Sequence, residues 1–387
     1  MKVCAVTTWP PYRDGVALYS TDLYNQISEL IDVVIVANIL TKQQSIKSHQ
    51  EKREIVLRCW KRGPLFPIDI FRSVYKTRAH VVHLQHGWLL YGGYISSLFF
   101  PVLLLFLRLG RKPCVVTLHT VIRKDAHLYK NSLVNFLAQL AVLFVSKCII
   151  QFSDRLIVHN RLMKDTLQKE YATTGEKIVI IPHGVKSSNK PESPRKDEKV
   201  SIMSLGFLRK GKGLRYLIEA FKKFLETCPE AKLVIVGGSH AHDKDQSERF
   251  SHLLTGRTQK QVLFTGFVNG KRLEQLIWGS DIIVLQSTEP YYVEASGALA
   301  TVADYGKPVV CSKVPKFQSE LQSGEHYLAV ASSDSMELAQ ALASLIEDEK
   351  LRSHLGENLR EKFKSRRWSA VAAEHLNLYR RLLKEGR

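Results

Sequence analysis

Short β-branched, apolar runs alternate with helical patterns along the whole chain, and no other feature restricts the possible folds as strongly. In the first half the runs are KVCAVTT (2–8), VVIVA (33–37), EIVLRC (54–59), HVVHLQ (80–85), PCVVTLH (113–119), RLIVHN (155–160) and KIVIIP (177–182). In the second half they are VSIMSLG (200–206), AKLVIVGG (231–238), QVLFTG (261–266), DIIVLQS (281–287) and KPVVCS (307–312). Strands read between helices in this way predict parallel sheets covered by helices. The two sets are separated by VKSSNKPESPRKDEK (185–199), rich in Ser, Pro and charge with almost no apolar content, which reads as a linker. A chain of 387 residues is also long for one core. Two doubly wound α/β domains are therefore predicted, residues 1–185 and 199–365, joined by a linker at 186–198. An amphipathic helix over 366–387, with Trp368, Leu376, Tyr379 and Leu383 among its large apolar side chains, closes the chain. In such sheets ligands sit at the carboxyl ends of the strands.

The charge balance narrows the partners. Lys and Arg number 56 against 37 Asp and Glu, a net charge of +19, which points to nucleic acid, an anionic membrane or anionic substrates. Residues 1–185 hold 24 basic and 12 acidic side chains, an excess of +12 that makes the first half the expected docking surface. No RNA-recognition aromatic signature, zinc spacing or helix-turn-helix pattern appears, so a nucleic-acid partner is not expected. The six cysteines have no CxxC pair; Cys4, Cys114, Cys148 and Cys311 lie in apolar runs and read as buried, reduced thiols of a cytoplasmic protein. The N-terminus breaks at prolines before any apolar core develops, so no signal peptide is expected. The runs LFFPVLLLFLRL (98–109) and LVNFLAQLAVLFVSKCII (133–150) are not expected to span a bilayer, since the first is short and both carry polar residues.

Between a strand and a helical pattern stands GFLRKGKGL (206–214), with three glycines, one arginine and two lysines. Glycines let backbone N–H groups approach an anion, and a helix N-terminus favours negative charge. The loop matches neither GxxxxGK[ST] nor GxGxxG, so it is not a P-loop or a dinucleotide fingerprint. Together with EASGALATVADYGKPVV (294–310) and, in order, PPYRDGVALYSTDL, HVVHLQHGWLLYGG, VVTLHT, KIVIIPHGV and the tryptophan helix, it resembles retaining glycosyltransferases of the GT-B fold. The resemblance is to the family 4, or group 1, enzymes that use nucleotide-diphosphate sugars. It implies two Rossmann-like domains facing a cleft, with the C-terminal helix crossing back to the N-terminal domain.

The resemblance also assigns residues. It implies that the loop opening at Gly206 holds the donor diphosphate, with Lys212-Gly213 supplying a point charge and Arg209 standing where a subgroup places its arginine. Fixed cations there stabilise the charge growing on a leaving phosphate. The family's paired glutamates fall at Val293 and Thr301 here, neither acidic; Glu294 and Ser296-Gly297 stand one step away. Glu294 is therefore expected near the donor sugar, Thr301 near the ribose, and the backbone N–H groups of Ser296, Gly297 and Ala298 over the diphosphate. On the N-terminal side, Gly15 would let backbone approach donor and acceptor, and His119 would face the donor sugar. His83 and His86 also stand near a strand end and read equally well as site or as structural histidines, whereas His159 and His183 read as structural.

Asp243-Lys244-Asp245, after His240 and His242, looks like a metal site but lies in a polar stretch and reads as solvated; no metal or other cofactor is expected. The implied reaction moves a hexose-type sugar from a UDP- or GDP-sugar to the hydroxyl of a glycan or lipid-linked acceptor. No carboxylate pair for a double displacement is evident; front-face attack retaining the anomeric configuration is what the resemblance implies. The N-terminal half is expected to dock on an anionic membrane through EKREIVLRCWKR (51–62), where cations flank Trp60, and through the run 98–109 with Arg108, Arg111 and Lys112.

Overall fold

The computed structural model describes every residue except 41–48, 52–53, 189–198, 210, 240–249, 251, 289–290 and 386–387. It divides into two compact units: Met1–Gly184 with Tyr291–Ala295 and Trp368–Arg387, and Val185–Pro290 with Ser296–Arg367. Residues 291–295, read from the sequence as part of the second domain, thus belong with the first. The tryptophan helix returns to the first unit.

The strands of the first unit are β1 (Lys2–Thr7), β2 (Asp32–Asn38), β3 (His49–Glu51), β4 (Glu54–Trp60), β5 (Val81–His86), β6 (Cys114–Leu118), β7 (Thr120–Ile122), β8 (Arg155–Val158), β9 (Ile178–Ile180) and β14 (Tyr292–Glu294). Eight form one sheet in the order β3-β4-β2-β1-β5-β6-β8-β9. Its pairs are parallel except the edge hairpin β3–β4. The second unit holds β10 (Ser201–Leu205), β11 (Lys232–Val236), β12 (Val262–Gly266), β13 (Ile282–Leu285), β15 (Val309–Ser312) and β16 (Leu328–Val330), parallel in the order β12-β11-β10-β13-β15-β16. Every strand read from the sequence is present.

The apolar runs are continuous because helices cover both faces of each sheet. In the first unit Phe66, Phe100 and Leu103 fill one face, and Tyr19, Leu23 and Trp368 fill the other. Polar residues start the helices where chain direction reverses: Asp14, Asn131 and Asn160 each accept a backbone N–H three residues on, at 2.6, 3.0 and 2.9 Å. In each sheet the strand order reverses beside the first strand of the unit, between β1 and β5 and between β10 and β13. Such switch points open a crevice at the carboxyl ends of the strands.

The closing helix, Trp368–Glu385, docks on the first unit through buried aromatic and histidine side chains. Tyr379 Oη lies 2.7 Å from His83 Nδ1, and the Trp368 ring meets Tyr19 edge-on at 5.2 Å. Leu376 and Tyr379 are buried as its pattern predicts. Two other readings are corrected. Trp60 is fully buried, its indole donating to Val36 O at 3.1 Å, because the alternation of β4 turns it into the core. Cys148 is only half-buried, because its helix lies at the surface.

Within the second unit one carboxylate fastens both ends of the unit's chain. Asp304, 1% exposed, accepts from Arg367 through both oxygens at 2.7 and 2.8 Å and from the Ser188 N–H at 2.6 Å. Burial alone would raise its carboxyl, but the bonds from Arg367 and Ser188 outweigh this and hold it below the usual carboxylate value. Asp304→Asn is expected to destabilise the unit by about 3 kcal/mol, since breaking a buried pair leaves a charge poorly satisfied. The carboxylate's contribution is present above its unfolded value near pH 4 and is lost as pH falls below it. A melting temperature for this variant equal to that of the parent at pH 7 would refute the assignment.

Candidate active site

The residues singled out in the sequence fall into two groups, one in each unit. In the second unit they gather at the switch point between β10 and β13. Gly206 follows β10 with φ 146°, and its N–H donates to Val236 O at 3.0 Å. The chain is then fastened by Leu208 N–H to Gly238 O (3.0 Å), Lys212 N–H to Arg209 O (3.2 Å) and Thr288 N–H to Gly211 O (2.8 Å). Gly213, at φ 62°, opens the helix Leu214–Thr227; a Cβ there would meet Gln286 Cβ at 3.0 Å, so both conformation and space require glycine. Arg209 and Lys212 thus stand half-buried on a fixed turn at the N-terminus of a 14-residue helix. Two cationic residues stand on the turn that opens a helix, and a helix N-terminus favours an anion.

Two polar groups at this place were not picked out from the sequence. Gln286 and Ser287, just beyond β13, are buried, and the Gln286 Nε2 and Ser287 Oγ atoms have no hydrogen-bond partner among the described residues. Gln286 Oε1 accepts from Ser312 Oγ at 2.9 Å, which orients its amide nitrogen. The polar ending of DIIVLQS was the available signal.

Beyond them Ser296 caps the short helix Gly297–Val302, its hydroxyl accepting from Leu299 N–H at 3.2 Å. Gly297 is exposed and Ala298 half-buried at its start, while Thr301 donates its hydroxyl to Gly297 O at 2.8 Å. That bond leaves the Thr301 oxygen as an acceptor only.

In the first unit the group lies at the carboxyl ends of β1, β5 and β6. Gly15 begins the helix Gly15–Ser28 and is exposed, with nothing within 4 Å of where a Cβ would stand. His119 follows β6. Its Nε2 lies 2.8 Å from Gln85 Oε1, its Nδ1 lies 3.4 Å from His159 Nε2, and Tyr19 meets it edge-on at 4.8 Å. Burial, reinforced by His159, His183, His86 and His83, holds its pKa well below the usual imidazole value. His119 is therefore a neutral hydrogen-bonding group at pH 7, not a cation.

Glu294 joins this group. The strand β14 pairs antiparallel with β7, in a register that sets Glu294 opposite Thr120, the residue after His119. Thr120 Oγ1 donates to Glu294 Oε2 at 3.4 Å. The sequence reading sets Glu294 in the second domain; it lies instead on a two-stranded ladder of the first unit. Val293, in one of the places where the family carries a glutamate, is buried in that unit's core.

The other four histidines singled out lie within the first unit. His159 Nδ1 meets Ile181 O at 3.0 Å, His183 Nδ1 meets Gly184 O at 2.8 Å, and His83 lies between Tyr24, Tyr379 and Thr117. His86 is buried against Phe100, with Nδ1 unpartnered. The Asp243-Lys244-Asp245 loop lies outside the described residues. Among the described ones, no group of three His, Cys, Asp or Glu is placed to hold a metal ion.

Comparison with known families bears directly on this arrangement. The family model "Glycosyltransferase Family 4" matches residues 13–189, and "Glycosyl transferases group 1" matches residues 185–362. The chain belongs to the group 1 / family 4 glycosyltransferases. An uncharacterized glycosyltransferase of Methanocaldococcus jannaschii is 26% identical over 243 residues, 59% of this chain and 60% of that protein. D-inositol 3-phosphate glycosyltransferase of Corynebacterium aurimucosum is 24% identical over 60% of this chain and 58% of its own length. The match thus spans about 60% of the length of these curated relatives. Among solved structures, sucrose-phosphate synthase of Thermosynechococcus elongatus superposes with a TM-score of 0.79 at 18% identity, over 100% of both chains. Anabaena HepE in complex with UDP-glucose does so with a TM-score of 0.74 at 17% identity, over 98% of this chain and 100% of that one. The fold of this glycosyltransferase is GT-B.

Proposed function

We propose that this glycosyltransferase moves a hexose-type sugar from a nucleotide-diphosphate donor to an acceptor hydroxyl, with retention of configuration. The observation that carries the reading is the turn 206–213. Arg209 and Lys212 stand at a helix N-terminus beside the unpartnered donors of Gln286 and Ser287. A diphosphate, with two charged groups and many acceptor oxygens, suits this set better than a single carboxylate does. The UDP-glucose in the Anabaena HepE structure favours a UDP-sugar over a GDP-sugar.

When the glycosyl bond breaks, negative charge collects on the departing phosphate, and Arg209, Lys212 and the helix N-terminus neutralise it without reorganising. A metal ion is not needed for that step. The acceptor attacks from the face the phosphate leaves, and a phosphate oxygen takes the hydroxyl proton. Neutral His119 and Glu294 then orient sugar hydroxyls. The acceptor is a lipid-linked or polysaccharide-precursor glycan, and the free thiols suit a cytoplasmic setting.

The test is transfer and donor hydrolysis by the purified protein with UDP-, GDP- and ADP-sugars, with and without a chelator. Anomeric configuration would be read by NMR. Binding of nucleotide sugars without turnover on any of them would leave a carbohydrate-binding relative instead. Loss of activity on chelation would overturn the metal-free step.

Glu294 provides a sharper check. Glu294→Gln is expected to lower kcat by roughly ten- to hundredfold while leaving the affinity for free UDP nearly unchanged, because a charged hydrogen bond to the sugar is lost. Equal losses in both quantities would mean that the carboxylate merely holds β14 against Thr120.

A further inference from the structure

The first unit carries a wide apolar surface that its core does not use. The helix Ser132–Phe152 is long and apolar enough to cross a bilayer, yet only 22% of its most apolar window is buried. On its inner face Val145 and Ile149 pack on the core, and Val142 packs in a small cluster with Ile122 and Ala126. Its outer face presents Leu133, Phe136, Leu137, Leu140 and Phe144, 46–65% exposed and spaced as one stripe. A helix with water on its outer side carries polar residues there; this one carries leucine and phenylalanine.

The neighbouring segment repeats the pattern. Phe100, Leu103, Leu104 and Leu107 are buried, while Leu98, Phe99, Leu105 and Leu109 point outward. The two segments are tied at both ends: Tyr94 and Tyr129 rings lie 6.1 Å apart, and Arg108 donates to Gln151 O at 3.1 Å. Their outer stripes therefore lie side by side. Along these segments the charge is mostly positive, with Glu170 of a following helix 3.8 Å from Arg123. Residues 101–150 hold seven cations (Arg108, Arg111, Lys112, Arg123, Lys124, Lys130, Lys147) and one acid, Asp125, which is paired with Arg123 at 3.0 Å.

We propose that this face of helices 94–109 and 132–152 docks flat on an anionic lipid bilayer. The apolar stripes enter the headgroup boundary, and Lys130, Lys147 and Arg111 meet the lipid phosphates. The cations decide between occupants. A second copy packed here through a two-fold axis would set the same cations against one another, whereas anionic lipid neutralises them. Spanning is disfavoured by the inner face, where Asn135 Oδ1 accepts from Leu128 N–H at 2.7 Å and Tyr129 N–H at 3.1 Å. The segment 51–62 does not form this surface. Trp60 is buried, and Arg58 and Arg62 donate to Asn38 O and Leu89 O at 3.0 and 2.6 Å; Lys52 and Arg53 lie outside the described residues. Both helices begin at the carboxyl edge of β5 and β6, the edge that holds His86 and His119. A bilayer on this face would bring a lipid-borne acceptor to that edge, the one respect in which the surface bears on the transferase reading.

The test is sedimentation of the full chain with vesicles of phosphatidylcholine alone or mixed with phosphatidylglycerol. Mixed vesicles are expected to capture it, less so as salt rises, and neutral ones to capture little. Lys130→Glu with Lys147→Glu is expected to weaken capture about tenfold or more, at about 1 kcal/mol per cation near the surface. Phe136→Glu with Leu140→Glu is expected to abolish it, with an unchanged melting temperature because both residues are exposed. No capture at low salt, capture unaffected by both double variants, or a dimer dissolved by the glutamates would each overturn the proposal. Donor hydrolysis, measured alongside, is expected to be unchanged in all of them, which separates this surface from the active-site reading.

Discussion

Lys212→Ala is expected to reduce transfer by roughly ten- to hundredfold at subsaturating donor, and Arg209→Ala by a similar factor, from about 1.5–3 kcal/mol per charge-assisted hydrogen bond. Both changes leave the backbone bonds of the turn in place. Its shape comes from backbone bonds of Leu208, Lys212 and Thr288 and from the left-handed Gly213, all of which survive truncation of a side chain. Melting temperatures are accordingly expected to stay near that of the parent. Arg209→Lys is expected to recover only part of the loss, because lysine restores the charge but not the planar fork that binds two oxygens. If both alanine variants kept near-parental turnover, the diphosphate would have to bind elsewhere.

Below about pH 6 the first unit is expected to lose stability steeply. His83, His86, His159 and His375 are all at most 2% exposed. Burial holds His86 and His159 at about 3 and His375 at about 4, and burial with His375 and His159 nearby holds His83 well below its ordinary value. In the unfolded chain each takes a proton near pH 6.5, so the unfolded state binds more protons and stability rises with pH. The contribution is complete above that value and is lost as pH falls toward the folded values. At pH 5 each fully buried histidine costs about 2 kcal/mol, and two or three such losses rival the whole stability of a domain. Thermal melts from pH 7 to 4 should show this, with proton uptake on unfolding measured by calorimetry in two buffers. A melting temperature that is flat between pH 7 and 5 would mean that these imidazoles reach water. His375→Gln should shift the acid transition to lower pH, since the Val371 carbonyl, 2.7 Å from His375 Nδ1, can accept from an uncharged amide.

The strands, the presence of two units, the glycine turn and the closing tryptophan helix were all legible in the sequence, whereas the boundary falls after Gly184 and residues 185–188 join the second unit. Each is written in local terms: β-branched runs, a stretch without apolar residues, glycine beside lysine, and aromatic residues at helical spacing. What stayed hidden depends on segments far apart. The place of Glu294 follows from a three-residue ladder between β7 and β14, over 170 positions apart, and nothing in YYVEASG announces its partner. Trp60 reads as interfacial among its cations until the register of β4 against β2 turns it inward. The segment 132–152 has large apolar residues on both its faces, so its periodicity could not show which side faces the core. That was settled by its packing beside 94–109, which leaves Leu133, Phe136, Leu137, Leu140 and Phe144 uncovered. The neutral state of His119 has the same origin, since no motif records that His159, Gln85 and Tyr19 close around it. Local propensity and turn chemistry act over a few residues and can be read along the chain. Burial, register and pKa are properties of the neighbours that folding brings, and only the tertiary structure supplies them.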